Sequence, residues 1–161
     1  MSDKETSEVS SNEAAKRNVR LRVNDLWPDF APADGEVPPI TILKEQASVL
    51  GLKLKNLIEA DVETAAPDCY DQRFLVHTLV LVAPVLNFYR YRLLEVQHSA
   101  TELYPVTIKA SSDDPANAIS NIRADNQDEF KDALKNIFAS AQTKRVIENL
   151  LAQSLGAKVG A

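Results

Sequence analysis

A chain of 161 residues can build one domain with its own core, and 45% apolar and 25% charged residues is an average globular composition. The 18 basic and 23 acidic residues leave a net charge of −5, which argues against a domain devoted to nucleic acid or to an anionic membrane. The single cysteine, Cys69, excludes an intramolecular disulfide, and the longest apolar run, Leu79 to Leu86 with Pro84 inside it, is far shorter than the roughly 20 residues of a membrane-spanning helix.

The N-terminus, MSDKETSEVSSNEAAKR, is polar and lacks the apolar stretch of a signal peptide. Together with the lone cysteine it points to a cytoplasmic protein with no membrane partner. Residues 1–13 have little to bury and read as a disordered tail. Lys16, Arg17, Arg20 and Arg22 then form a basic arm with no acid among them. Residues 24–39 hold four of the eight prolines and two aromatic anchors, Trp27 and Phe30. Residues 1–37 are therefore expected to be tail, arm and linker, 38–157 a single domain, and 158–161 a tail.

ITILKEQASVLG places Ile42, Leu43, Gln46, Ala47 and Leu50 on one helical face. A helix is expected over about 40–51, capped by Thr41 and ended by Gly51 in the left-handed conformation. The period then changes to two. Glu59, Asp61 and Glu63 alternate with Ile58, Ala60, Val62 and Thr64, which predicts a strand with an acidic and an apolar face. RFLVHTLVLVA, 73–83, is apolar on both parities and reads as a central strand covered on both sides. FYRYRLLEVQH, 88–98, predicts a third strand. LYPVTIKA, 103–110, predicts a fourth, on an edge because of Pro105.

Residues 111–125 read as a loop. Asn126 and Glu129 match a capping box ahead of the stripe Phe130, Ala133, Leu134, Ile137 and Phe138. Ser140 caps a second stripe, Val146, Ile147, Leu150 and Leu151, ended by Gly156. The expected fold is α+β: an N-terminal helix, a mostly antiparallel four-stranded meander, and two C-terminal helices packed on the sheet.

Several chemistries are weighed against plainer readings. Alternation places Arg90 and Arg92 on one face of their strand, with Tyr89, Tyr91 and Leu93 on the other. A base-stacking platform needs rings and guanidiniums on one exposed face, so an ion pairing of Arg90 or Arg92 with the acidic strand is the better expectation. Glu59, Asp61 and Glu63 project from one strand face as Mg²⁺ ligands would, but carboxylates along an exposed strand are common. His77, among Leu75, Leu79 and Leu81, reads as a hydrogen-bonded core residue. His98, at a strand end, reads as exposed. Cys69 and the two histidines are too few for a structural zinc site. The four glycines fall in no phosphate-cradling motif.

No convergent catalytic set is present, and no cofactor is implied. The central strand carries an apolar surplus, since two short C-terminal helices cover one face at most. The chain therefore reads as a non-enzymatic interaction module that forms a homodimer or binds another protein. Arg17, Arg20, Arg22, Trp27, Phe30, Arg90 and Arg92 are the candidate contact residues. The runner-up is a nucleic-acid-binding protein, or a metal-dependent nucleic-acid-processing one, using Arg90 and Arg92 with Glu59, Asp61 and Glu63. A third reading is a neutralising partner of another protein, of the immunity or antitoxin kind.

Overall fold

The computed structural model describes residues 24–65, 73–111 and 121–159. The chain forms two units, Met1–Ala33 and Asp34–Ala161. In the first, the described residues 24–33 form no helix or strand. The Trp27 amide donates to Asp25 Oδ1 at 3.1 Å, and the Trp27 and Phe30 rings lie 6.1 Å apart. The basic arm and Cys69 lie outside the described residues.

The second unit is α+β. Its elements run α1 (Pro39–Lys53), β1 (Glu59–Ala65), β2 (Phe74–Ala83), a 3-10 turn (Pro84–Leu86), β3 (Tyr89–Ser99), β4 (Val106–Ala110), β5 (Ile122–Ala124), α2 (Gln127–Phe138) and α3 (Ala141–Val159). The described strands form one antiparallel sheet in the order β1-β2-β3-β4-β5. The meander expected from the sequence is present with a fifth strand. Residues 122–124, read as loop, are too short to show a period. They become a strand because β4 offers them a free edge, with Val106 opposite Ala124 and Ile108 opposite Ile122. That places β4 inside the sheet, not at its edge. Pro105 is tolerated because it precedes the first paired residue, so its missing N–H removes no ladder bond.

α1 starts two prolines into the domain. Pro38 is the N-cap and Pro39 occupies N1, where its fixed φ is pre-organised for the helix. Thr41 is already helical and makes no cap. Gly51 is helical too, and the turn-back comes later, through Lys55 (φ 51) and Asn56 (φ 61). Asn56 N donates to the Gly51 carbonyl at 2.9 Å, and a Cβ on Gly51 would meet Asn56 Oδ1 at 3.3 Å. Gly51 therefore gives room for the returning chain and does not itself turn. α2 starts as expected, with Asn126 Oδ1 accepting from Glu129 N at 2.9 Å. Glu129 Oε2 reaches Asp125 N at 2.6 Å. Ser140 Oγ accepts from Thr143 N at 3.2 Å at the start of α3, which runs through Gly156 to Val159.

The three described helices lie on one side of the sheet. Ile42, Leu43 and Ala47 from α1, with Phe130, Leu134 and Ile137 from α2 and Leu150 from α3, share one core with Leu79, Leu81, Leu94, Val96, Val106 and Ile108. The chain ahead of α1 is tied in by polar contacts. The Tyr104 hydroxyl donates to the Val37 carbonyl at 2.7 Å, and the Val37 amide donates to Gln127 Oε1 at 2.8 Å. Burial, then the Glu36 carboxylate, pushes the Tyr104 hydroxyl up to about 12, so it keeps its proton as a donor.

Strict alternation fails once, and the failure re-phases β3. The register shifts between Leu79 and Val80: Leu79 faces Leu94, whereas Val80 faces Arg92. Leu93 is the extra residue of a β-bulge, and both leucines are buried on the helix side. Beyond the bulge the parity is inverted. Val96 and His98 turn inward, and Glu95 and Gln97 outward.

Candidate functional site

The open face of the sheet carries the charged residues singled out from the sequence. Glu59, Asp61 and Glu63 face Val82, Val80 and Thr78 across β1–β2, and Arg90 and Arg92 face Val82 and Val80 across β2–β3. Arg90 Nη1 lies 3.5 Å from Asp61 Oδ2, and Arg90 Nη2 pairs with Glu63 Oε1. Arg90 and its acids are two strands apart, about 10 Å at the usual strand spacing, so the bridge passes over β2. The valines beneath it, Val80 and Val82, are only 4% and 5% exposed, although they stand outside the core that the described helices share. The stems of arginine and the carboxylates can shield apolar surface in this way while their heads stay wet. Arg92 Nη1 pairs instead with Glu95 Oε1 at 2.8 Å on its own strand. The expected cross-strand pairing thus holds for Arg90. Both guanidiniums already have carboxylate partners. Tyr91 lies on the other face, its hydroxyl 3.4 Å from Gln142 Nε2. Among the described residues, no three His, Cys, Asp or Glu side chains converge as metal ligands.

The two histidines, far apart in sequence, meet under the helices. His77 Nε2 and His98 Nε2 are 2.8 Å apart, and the rings are 2% and 6% exposed. The expectation of a core His77 holds. The expectation of an exposed His98 fails, because the bulge turns it to the covered side. His98 Nδ1 faces two acceptors, the carbonyls of Ser99 (2.7 Å) and Glu102 (2.8 Å), so its proton sits there. His98 Nε2 then accepts from His77 Nε2–H, and His77 Nδ1 accepts from the Thr64 hydroxyl at 2.8 Å. The chain of donors runs from β1 across β2 and β3 to the next loop. Burial, then His98 and the Lys44 ammonium, lowers the His77 pKa to about 4. Both rings are covered, and the Thr64 hydroxyl that donates to His77 is the exposed end of a polar cross-link between strands. Only the strand register brings the two rings together, and nothing in their sequence spacing signals it.

At the end of the β2–β3 hairpin the surface is apolar. Asn87 (φ 58) and Phe88 (φ 56) both occupy the left-handed region. Asparagine tolerates it, but a bulky aromatic there is a genuine outlier. Phe88 is nonetheless 67% exposed, beside Tyr89 at 50%, with Val85 also exposed on the 3-10 turn. Sequence reasoning missed this tip, since it read Phe88 as the first residue of a strand. In the other unit Trp27 and Phe30 are exposed as well. Arg17, Arg20 and Arg22 fall outside the described residues. No helix among the described residues is long and apolar enough to cross a membrane. No protein-family model, curated protein or solved structure matches the chain.

Proposed function

We propose that the protein is a non-enzymatic interaction module that pairs with a second copy of itself through the apolar tip of the β2–β3 hairpin. Phe88 is the observation that supports this. A left-handed backbone costs a non-glycine residue about 1–2 kcal/mol, and here the strained residue is a large apolar side chain facing solvent. Strain kept at an exposed aromatic is a sign of use, because glycine would remove it at once. The partner surface lies at the hairpin tip and not on β2, whose outward valines are already covered within the chain. The nucleic-acid reading has less support, since Arg90 and Arg92 are each held by carboxylates and the open face pairs its charges internally.

Sedimentation velocity across micromolar concentrations tests the proposal. The wild-type chain should move as a dimer. Phe88→Gly should be monomeric and also more stable to urea, by about 1 kcal/mol. A wild-type chain that stays monomeric throughout, or a Phe88→Gly variant that still dimerises, overturns it.

A further inference from the structure

We infer that the hollow between α1, the covered face of the sheet and the α2–α3 corner is a binding site for a small amphipathic carboxylate, with one ring or short hydrocarbon chain inside and the anionic group at the mouth. The hollow measures about 180 Å³. An apolar cavity of about 150 Å³ is enough for a benzene ring, so there is room for a ring with a further carbon or two.

Its floor is Ala47, Leu79 and Leu93, all buried, and its walls are the half-buried Leu50, Phe138 and Ile147. Leu93 is the extra residue of the bulge. The irregularity that re-phases β3 therefore also shapes this floor. Thr143 contributes a hydroxyl, but that group donates to the Ile137 carbonyl at 2.7 Å and lies 3.1 Å from Ser140 Oγ. Its proton is committed, so it does not select the ligand.

Selection falls to the mouth, where the exposed Gln46 and Lys53 line the same hollow, two turns apart on one stripe of α1. Neither side chain makes a hydrogen bond or ion pair with another described residue. Gln46 and Phe138 also line an adjoining cleft that carries Lys131 and Lys135 against a single acid, Glu45. Lys53 at the mouth of the hollow, with Lys131 and Lys135 against one carboxylate in the adjoining cleft, favours an anion over a cation or a neutral molecule. An organic monocarboxylate meets both demands. The hairpin tip takes no part, so the site stands or falls independently of self-association.

Titration of the full chain with phenylacetate and with hexanoate, followed by amide chemical shifts, is the test. 2-Phenylethanol and hexanol serve as uncharged counterparts. At least one carboxylate should give saturable shifts at Ala47, Leu79 and Leu93, and the two arms separate an aromatic from an aliphatic ligand. Lys53→Glu should weaken the carboxylate by roughly fivefold, the worth of one exposed charge contact, and leave the alcohol unchanged. Ala47→Leu fills the floor and should abolish binding. Val49→Trp, at an exposed position on the rim, should do the same without touching the core. The proposal fails if neither carboxylate saturates in the millimolar range, if an alcohol binds as well as its acid, or if both Ala47→Leu and Val49→Trp bind normally.

Discussion

The two faces of the sheet bury nearly the same kind of residue by different means. On the covered face, Leu79 and Leu81 are sealed by helices whose own apolar stripes supply the partners. On the open face, Val80 and Val82 are as deeply buried between the strands that carry Arg90 and its carboxylate partners Asp61 and Glu63. The covered side gains from matched packing, where every removed methylene leaves a void. The open side gains mainly from the hydrocarbon stems of side chains whose charged ends remain in water. The central strand is thus buried on both parities, with helices against one face and the charged side chains of the neighbouring strands along the other.

The largest contrast should appear in core truncation. Leu81→Ala should cost about 2–5 kcal/mol, against about 1.5 kcal/mol for Val80→Ala, the worth of the methylenes removed. Urea denaturation of both variants measures it, and equal losses would mean that the open face is packed as tightly as the covered one.

The histidine cross-link belongs to the covered face alone, and acid should reveal it. The folded His77 pKa, about 4, lies below the ordinary 6.5, so folding favours the neutral ring. Between those values the unfolded chain binds more protons. The stabilisation is full above pH 6.5 and is lost as pH falls toward 4. The loss should amount to about 1–3 kcal/mol, and His77→Gln should flatten the profile across that window. A wild-type profile that is already flat there would remove the cross-link from the covered side.

The charged cover gives smaller effects that distinguish shielding from charge. Arg90→Ala should cost about 1 kcal/mol, and Arg90→Met should recover most of it, because methionine keeps a stem over the valines without the guanidinium. If Arg90→Met is as unstable as Arg90→Ala, the ion pairs carry the cover. The smallest effect should come from Glu63→Gln. It removes one exposed partner for under ~0.5 kcal/mol, and the difference should vanish in molar salt.

Where local chemistry decides structure, the sequence was readable. Asn126 and Glu129 announce α2 through side-chain bonds made within one turn, and the alternation of Glu59, Asp61 and Glu63 names the open face in advance. Features decided between strands were not readable. β5 has only three residues and exists because β4 has an edge to pair. The Leu93–Leu94 doublet is the visible trace of the bulge, since polar Glu95 and Gln97 keep the outward face only if the phase slips there. His98 could be placed only after that slip was known, and the hollow beside Leu93 only after three helices were docked. The left-handed Phe88 breaks a local preference, and so local preference could not predict it.

The meander has a kinetic consequence. Every strand pairs with the strand next to it in the sequence, so no rung of the sheet waits for a distant segment, and loop closure is inexpensive at each step. The β2–β3 hairpin, with the longest run of paired residues, is the natural nucleus, whereas α3 can dock only on a sheet that already exists. Truncation of Val96, in the hairpin, should then slow refolding, and truncation of Leu150, in α3, should mainly quicken unfolding. The two arms of a denaturant chevron would record, in that order, how this sheet acquires its cover.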